Sequence, residues 1–239
     1  MLNVTRQAIL ERIEDHHLVL DIGGWADPFE RADWVLDFLP YETRGYYARA
    51  GWKEPGARPA ERFSADTWVT RDICAHEPYP FADDQFDFVI CSHTLEDVHD
   101  PMWVCSEMNR IARAGYISVP SRLEEQSWGV EGPYAGYAHH HWLVTIEGTH
   151  VEFAFKAHDL HASPRFHFPE PFVSTLTPED RLQELGWEGS FTWAQRVLAF
   201  PGERHAYFAD FVARETARRP PVPKTTSTVR SRLGRLRSS

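Results

Sequence analysis

Residues 86–120, FDFVICSHTLEDVHDPMWVCSEMNRIARAGYISVP, decide how this chain folds. Phe86 to His93 is an apolar run of strand length. After it, Asp100 stands where a helix cap belongs, Pro101 takes the first helical position and Gly115 offers a stop. The run GYISVP then closes a second strand at Pro120. Two buried-type strands joined by one helix imply an α/β domain with a largely parallel sheet.

Upstream the same rhythm continues. Val4 to Ile13 has apolar residues at helical spacing, Leu18 to Ile22 is a short buried-type strand, WVLDF (34–38) a second and TWVTRDIC (67–74) a third. Three of these strands end on an acid: Asp21, Asp37 and Asp72. In open α/β sheets ligands collect at the carboxyl ends of the strands, where this sequence also places Ser92 and His93. Acids at strand ends serve equally as helix caps, and glycines there as plain turns.

Downstream the rhythm breaks. In residues 122–173, HWLVTIEGTHVEFAFK reads as two alternating strands about a Glu147-Gly148 turn, a β-hairpin inserted after the fifth strand and placed to cover the sheet top. TPEDRLQELG reads as a helix opened by Thr177 and Pro178 and ended by Gly186. FTWAQRVLAF and HAYFADFVARE then offer a last antiparallel pair, the second of them equally readable as a helix. The expectation is a doubly wound, mostly parallel seven-stranded sheet in a single domain over residues 1–215, with 122–173 as a histidine-rich cap.

At 239 residues, 42% hydrophobic and with nine Trp, the chain can bury a full core. Residues 216–239 hold seven Lys/Arg and no acid, which leaves 18 basic against 35 acidic groups in the body, a net of −17. An acidic body argues against nucleic acid as a partner, because phosphate contacts need clustered Lys/Arg. The basic tail is read as disordered and as a possible contact for an anionic partner. No stretch reaches the ~18 apolar residues of a membrane span and no signal-peptide core is visible, so the expected location is the cytoplasm. Cys74, Cys91 and Cys105 lack CxxC spacing and read as buried thiols.

Over about Leu18 to Ser121 the chain resembles the class I S-adenosylmethionine-dependent methyltransferases, especially the methyltransferase type 11 group. The likeness is densest in residues 79–122, which carry a Pro-Phe, a Phe-Asp at the fourth strand, a His-x-Leu-Glu-Asp-Val segment, an Asp-Pro helix start and a fifth strand. The resemblance implies S-adenosylmethionine as cofactor. By the same resemblance, Asp21 with the Gly23-Gly24 backbone would approach its methionine and ribose portion, and Asp37 would accept the ribose hydroxyls. Asp72 and Ile73 would meet the adenine, and Ser92 and His93 would border the sulfonium. One departure is plain: against the family's Asp-x-Gly-x-Gly-x-Gly, Trp25 and Asp27 replace two glycines, and the 15 residues between Asp21 and Asp37 leave room for a loop but not a full helix. S-adenosylmethionine carries no phosphate, so it needs a helix N-terminus less than a dinucleotide does.

The insertion holds His139, His140 and His141 beside Trp142, within a chain of 13 His. Alternation along a strand puts His139 and His141 on one side only, so a metal would need a further ligand such as Glu131, His158 or His161; no metal is assigned. A neutral imidazole suits general-base work better, so His140 and His141, with His93, are the catalytic candidates. Glu96 reads as a brace for the following turn. Trp25, Tyr134, Tyr137 and Trp142 are candidate walls for stacking on a ring. The function expected is methylation of a hydroxyl on a small molecule or saccharide. Two other readings use the same residues: a methyltransferase-fold binding or regulatory protein, and a metal-dependent enzyme built on the histidine-rich insertion.

Overall fold

The computed structural model describes residues 1–51 and 60–219; most of the basic tail lies outside the described residues. In chain order the elements are α1 (Asn3–Arg12), β1 (Val19–Ile22), β2 (Trp34–Asp37), α2 (Tyr46–Arg49), β3 (Trp68–Thr70), β4 (Phe88–Ser92), α3 (Pro101–Ile111), β5 (Ala114–Pro120), α4 (Arg122–Glu125), β6 (Trp142–Glu147), β7 (His150–Phe155), α5 (Pro178–Arg181), β8 (Leu182–Glu188), β9 (Thr192–Arg196) and α6 (Pro201–Arg218). The main sheet runs β3-β2-β1-β4-β5-β8, all parallel except the β5–β8 pair.

Its two faces follow from the alternation of side chains along each strand. Leu20, Ile22, Val89, Cys91, Ile117 and Val119 pack on one face with α3. Val19, Val35, Phe88, Ile90 and Tyr116 pack on the other, against Ile9 and Ile13 at α1 and its end. Burial on both sides explains why these strands read as unbroken apolar runs. The start of α3 is as its sequence implies, with Pro101 in the first turn and the Asp100 carboxylate accepting the Trp103 N–H at 3.1 Å.

Three sequence expectations need correction. First, α3 stops at Ile111, and Gly115 is not its stop but a residue inside β5. A Cβ there would lie 2.7 Å from Trp187 and from Val89, so the glycine admits the indole that covers the strand. Second, TPEDRLQELG is only one helical turn, held by a Thr177–Asp180 capping box, and then becomes β8. Leu185 and Trp187 are both buried, and this period of two, with the open edge of β5 to pair with, outweighs the local helix signal. Third, among the described residues the main sheet has six strands, not seven. FTWAQR supplies β9, which leaves the main sheet and pairs in parallel with β7, while HAYFADFVARE lies in α6.

The inserted hairpin forms as expected, with Trp142 opposite Phe155 and Glu147 opposite His150, and β9 makes it a three-stranded sheet. One face of that sheet, Trp142, Val144, Val151 and Phe153, joins the main core beside α3. The other, Leu143 and Ala154, packs with Leu160, Phe166 and the fully buried Phe208 of α6. The insertion is therefore a structural layer between main sheet and last helix. The last helix, α6, runs from Pro201 to Arg218.

Candidate functional site

The carboxyl ends of β1 to β4 open into one cleft of about 1030 Å³. Of the residues expected to hold the cofactor, Gly23, Asp37, Asp72 and Ile73 line it; of the catalytic candidates, His93, His140 and His141 do. Asp21, Gly24 and Ser92 are not among the lining residues, and each has a local structural partner. The Asp21 carboxylate is buried and accepts the Phe29 N–H at 2.8 Å, and a Cβ on Gly24 would come 2.2 Å from that carboxylate. The Ser92 hydroxyl lies 2.7 Å from that of Ser118 on β5. Burial raises Asp21 to about 7.

Among the described residues no helix lies between β1 and β2. The loop is instead tied to the end of β2: the Trp25 N–H donates to Asp37 Oδ2 at 2.9 Å, and the Leu39 N–H to Oδ1 at 2.8 Å. A carboxylate has about four acceptor positions, so Asp37, with main-chain donors from Trp25, Leu39 and Phe38, retains some acceptor capacity toward the cleft. Trp25 stacks on Tyr46 with ring centres 5.3 Å apart, and its indole N–H donates to Thr43, which braces the loop from outside. Gly23 has φ +76, and a Cβ there would meet the Thr94 hydroxyl at 2.2 Å. Thus the first glycine is required both by a left-handed backbone and by the close approach of the β4 loop.

That β4 loop turns sharply. His93 adopts φ +55, a strained conformation for a non-glycine residue, while its N–H donates to the Ser118 carbonyl at 2.8 Å. Glu96 is 1% exposed and neither carboxylate oxygen has a hydrogen-bond partner among the described residues; His93 Nδ1 lies 3.6 Å from it. Its backbone carbonyl accepts the N–H groups of His141 and Trp142, at 2.8 and 3.1 Å. Glu96 therefore does brace the fold, but through its main chain, and it is this bond that brings the histidine run to the cleft.

Behind the run sits a cluster that the sequence did not announce. Glu125, buried on α4, receives His140 Nδ1 at 2.6 Å on one oxygen and Lys156 Nζ at 2.6 Å on the other, and Nζ also donates to the Tyr137 carbonyl at 2.8 Å. The three side chains are 1%, 8% and 4% exposed respectively. Burial opposes a charge on His140, but the hydrogen bond and charge of Glu125 outweigh it and hold the imidazole above its usual range. Burial likewise opposes ionisation of Glu125, and its two cationic donors overcome this and hold it below the carboxylate range. The signal for Lys156 was present, a lysine directly after the last apolar residue of the hairpin, but nothing local connects it to residues 125 and 140.

Of the candidate stacking walls, Trp25 and Tyr137 line the cleft. Tyr134 sits against His161 outside it, and Trp142 is a core residue whose indole N–H donates to the Val98 carbonyl. His139, His158 and His161 do not converge on a metal-sized cluster with Glu131 among the described residues. Asp97 and Glu131 add two carboxylates to those of Asp37 and Asp72, and no Lys or Arg lines the cleft among the described residues.

Residues 54–119 match the family described as a methyltransferase domain. Among solved structures, an S-adenosylmethionine-dependent methyltransferase from Methanosarcina mazei is 14% identical, with 61% of this chain and 87% of that one covered and a TM-score of 0.38. One from Aquifex aeolicus is 18% identical, covering 55% and 71%, with a TM-score of 0.34. The YcgJ protein of Bacillus subtilis is 20% identical, covering 50% and 52%, also at 0.34. The chain spans about half the length of the first structures it matches, and no curated protein matches it. No helix among the described residues is long and apolar enough to cross a membrane. Over residues 54–119, from the segment before β3 to the end of β5, the chain is similar to a methyltransferase domain, and its main sheet is the mostly parallel α/β sheet on which the strand-end cleft is built.

Proposed function

We propose that the protein transfers a methyl group from S-adenosylmethionine to a hydroxyl of a small molecule or saccharide, with His140 as general base, in the cytoplasm. The observation that carries this reading is His140 in the wall of the strand-end cleft with Glu125 bonded behind it. The sulfonium of the bound cofactor supplies an already activated methyl, so the protein has to align the acceptor and take its proton.

The cleft fits such a cofactor on its own terms. Asp37 keeps acceptor capacity for a ribose diol, Asp72 keeps one carboxylate oxygen beside the buried Ile73 for an exocyclic amine and ring, and Gly23 leaves the floor open. The carboxylate-rich lining suits a cationic sulfonium and disfavours phosphate, which agrees with a small neutral acceptor rather than nucleic acid. With Nδ1 held by Glu125, His140 has Nε2 to receive the acceptor's proton. Glu125 then stabilises the imidazolium that forms, while Lys156 keeps Glu125 ionised and in place. His93 and His141 border the acceptor from the β4 loop and the start of β6.

Calorimetric titration with S-adenosylmethionine and S-adenosylhomocysteine, after removal of carried-through cofactor, tests the first half. Micromolar binding of both is expected, and a folded protein that binds neither overturns the proposal. For the second half, His140→Ala should lower kcat about 10²- to 10⁴-fold with S-adenosylhomocysteine binding retained. Unchanged turnover would remove His140 as the base. Binding without turnover on any hydroxyl acceptor would favour the regulatory-protein reading.

A further inference from the structure

We infer that Asp72, Cys74 and His99 form a binding site for one thiophilic divalent cation, zinc being the natural occupant by its chemistry. The site does not need the methyl-transfer reading to hold; under that reading the ion and the cofactor's exocyclic amine compete for the one free oxygen of Asp72. One ligand atom from each residue lies within 4.8 Å of the other two. Donors at ~2.0–2.3 Å from a tetrahedral ion stand roughly 3.3–3.8 Å apart, so side-chain shifts of about an ångström close the site.

The framework around these atoms is already built. Asp72 Oδ1 accepts the Cys74 N–H at 2.8 Å, which folds the two residues into one turn beyond β3 and leaves the second oxygen available. The buried Cys74 sulfur lies 3.6 Å from the Asp100 carbonyl, a weak contact, beside the main chain of His99 and Asp100. His99 precedes the cap of α3, and Asp100 is fixed there by Trp103 N–H and by His76 Nε2 at 2.6 Å, with His76 stacked on Trp103. The His99 ring is exposed and makes no hydrogen bond among the described residues.

The donor set selects the ion. A thiolate with an imidazole and a carboxylate suits zinc or cobalt(II) and not magnesium or calcium, which take oxygen ligands. All three residues line the cleft, so three protein ligands leave a fourth position for water or a solute from the cleft. On binding, a metal–sulfur bond replaces the S–H bond and the thiol proton passes to buffer.

Cobalt(II) titration of the tag-free full chain decides the matter, because the thiolate-to-cobalt charge-transfer band reports a sulfur ligand and ignores the other histidines. Cys91 and Cys105 are fully buried in the core, so such a band belongs to Cys74. The expected result is a band that saturates at one cobalt per chain, disappears on zinc addition and is absent in Cys74→Ser. His99→Ala, at an exposed position, should weaken cobalt binding at least ~10-fold, since loss of even an outer partner commonly costs that much. No band in the native protein, a band surviving in Cys74→Ser, or unchanged affinity in His99→Ala overturns the site. Should Cys74→Ser fail to fold by circular dichroism, His99→Ala and the equally exposed Asp72→Asn carry the decision.

Discussion

Changing Glu125 to Gln puts the wall of the cleft under a specific conflict. Glu125 is an acceptor only, and each oxygen receives a donor at 2.6 Å, His140 Nδ1 on one and Lys156 Nζ on the other. Glutamine has one acceptor and one donor end, so an N–H would face a donor. The ammonium of Lys156 cannot accept, whereas an imidazole can. The conflict therefore resolves with the carbonyl end of the introduced amide on Lys156 and its amino end donating to His140 Nδ1. That fixes the proton of His140 on Nε2, the nitrogen needed as base. Removing one partner of a buried ion pair costs roughly 3–5 kcal/mol. The retained hydrogen bond to Lys156 points to the lower end, about 3 kcal/mol, or a urea midpoint lower by about 1 M if the slope is near 3 kcal/mol per molar.

Urea unfolding followed by tryptophan fluorescence reads the stability, and initial rates read the chemistry, where a loss of about 10²- to 10⁴-fold in kcat is expected. Glu125 is held below its ordinary value of 4.5. Its stabilisation is therefore complete above that pH and is lost as pH falls through the lower folded value, so the two proteins should converge in acid. Adding Lys156→Met to Glu125→Gln should recover part of the loss. A single variant within about 0.5 kcal/mol of the native protein, with losses that simply add in the double variant, would refute the coupling.

Three further outcomes follow from the same geometry. Lys156→Met alone removes a charge that lowers the His140 pKa, so the rising limb of the pH–rate profile should move to higher pH; a shift to lower pH or none contradicts the assignment. Asp37→Asn should weaken S-adenosylhomocysteine by about 1.5–3 kcal/mol, or ~10- to 150-fold, through lost charge-assisted hydrogen bonds, and an unchanged isotherm in a folded variant rejects Asp37 as the ribose acceptor. Asp21 is raised by burial to about 7 from 3.8, so the folded state binds the extra proton in between and stability falls as pH rises across that window. Asp21→Asn should flatten that fall in a pH series of urea midpoints, and an unaltered slope would mean that Asp21 titrates normally.

The parallel core is legible in the amino-acid order alone. β1, β2, β4, β5 and α3 each carry a local signal that agrees with the whole: apolar runs buried on both faces, and a helix with its own cap and proline. The strand-end acids could be read as well, because strand order places carboxyl ends on one edge, but not their division of labour. Asp21 and Asp37 look alike in sequence, and only the burial of one against Phe29 and Gly24, and the opening of the other to the cleft, separates them. Residues 182–188 show where local signals fail, since a helical turn hands over to a strand only because β5 offers an open edge. The Glu125–His140–Lys156 cluster was beyond reach for the same reason. Its members sit on α4, before β6 and after β7, and pairing across 15 and 31 residues of chain is fixed by the docking of the small sheet onto the main core, a long-range packing event with no local trace.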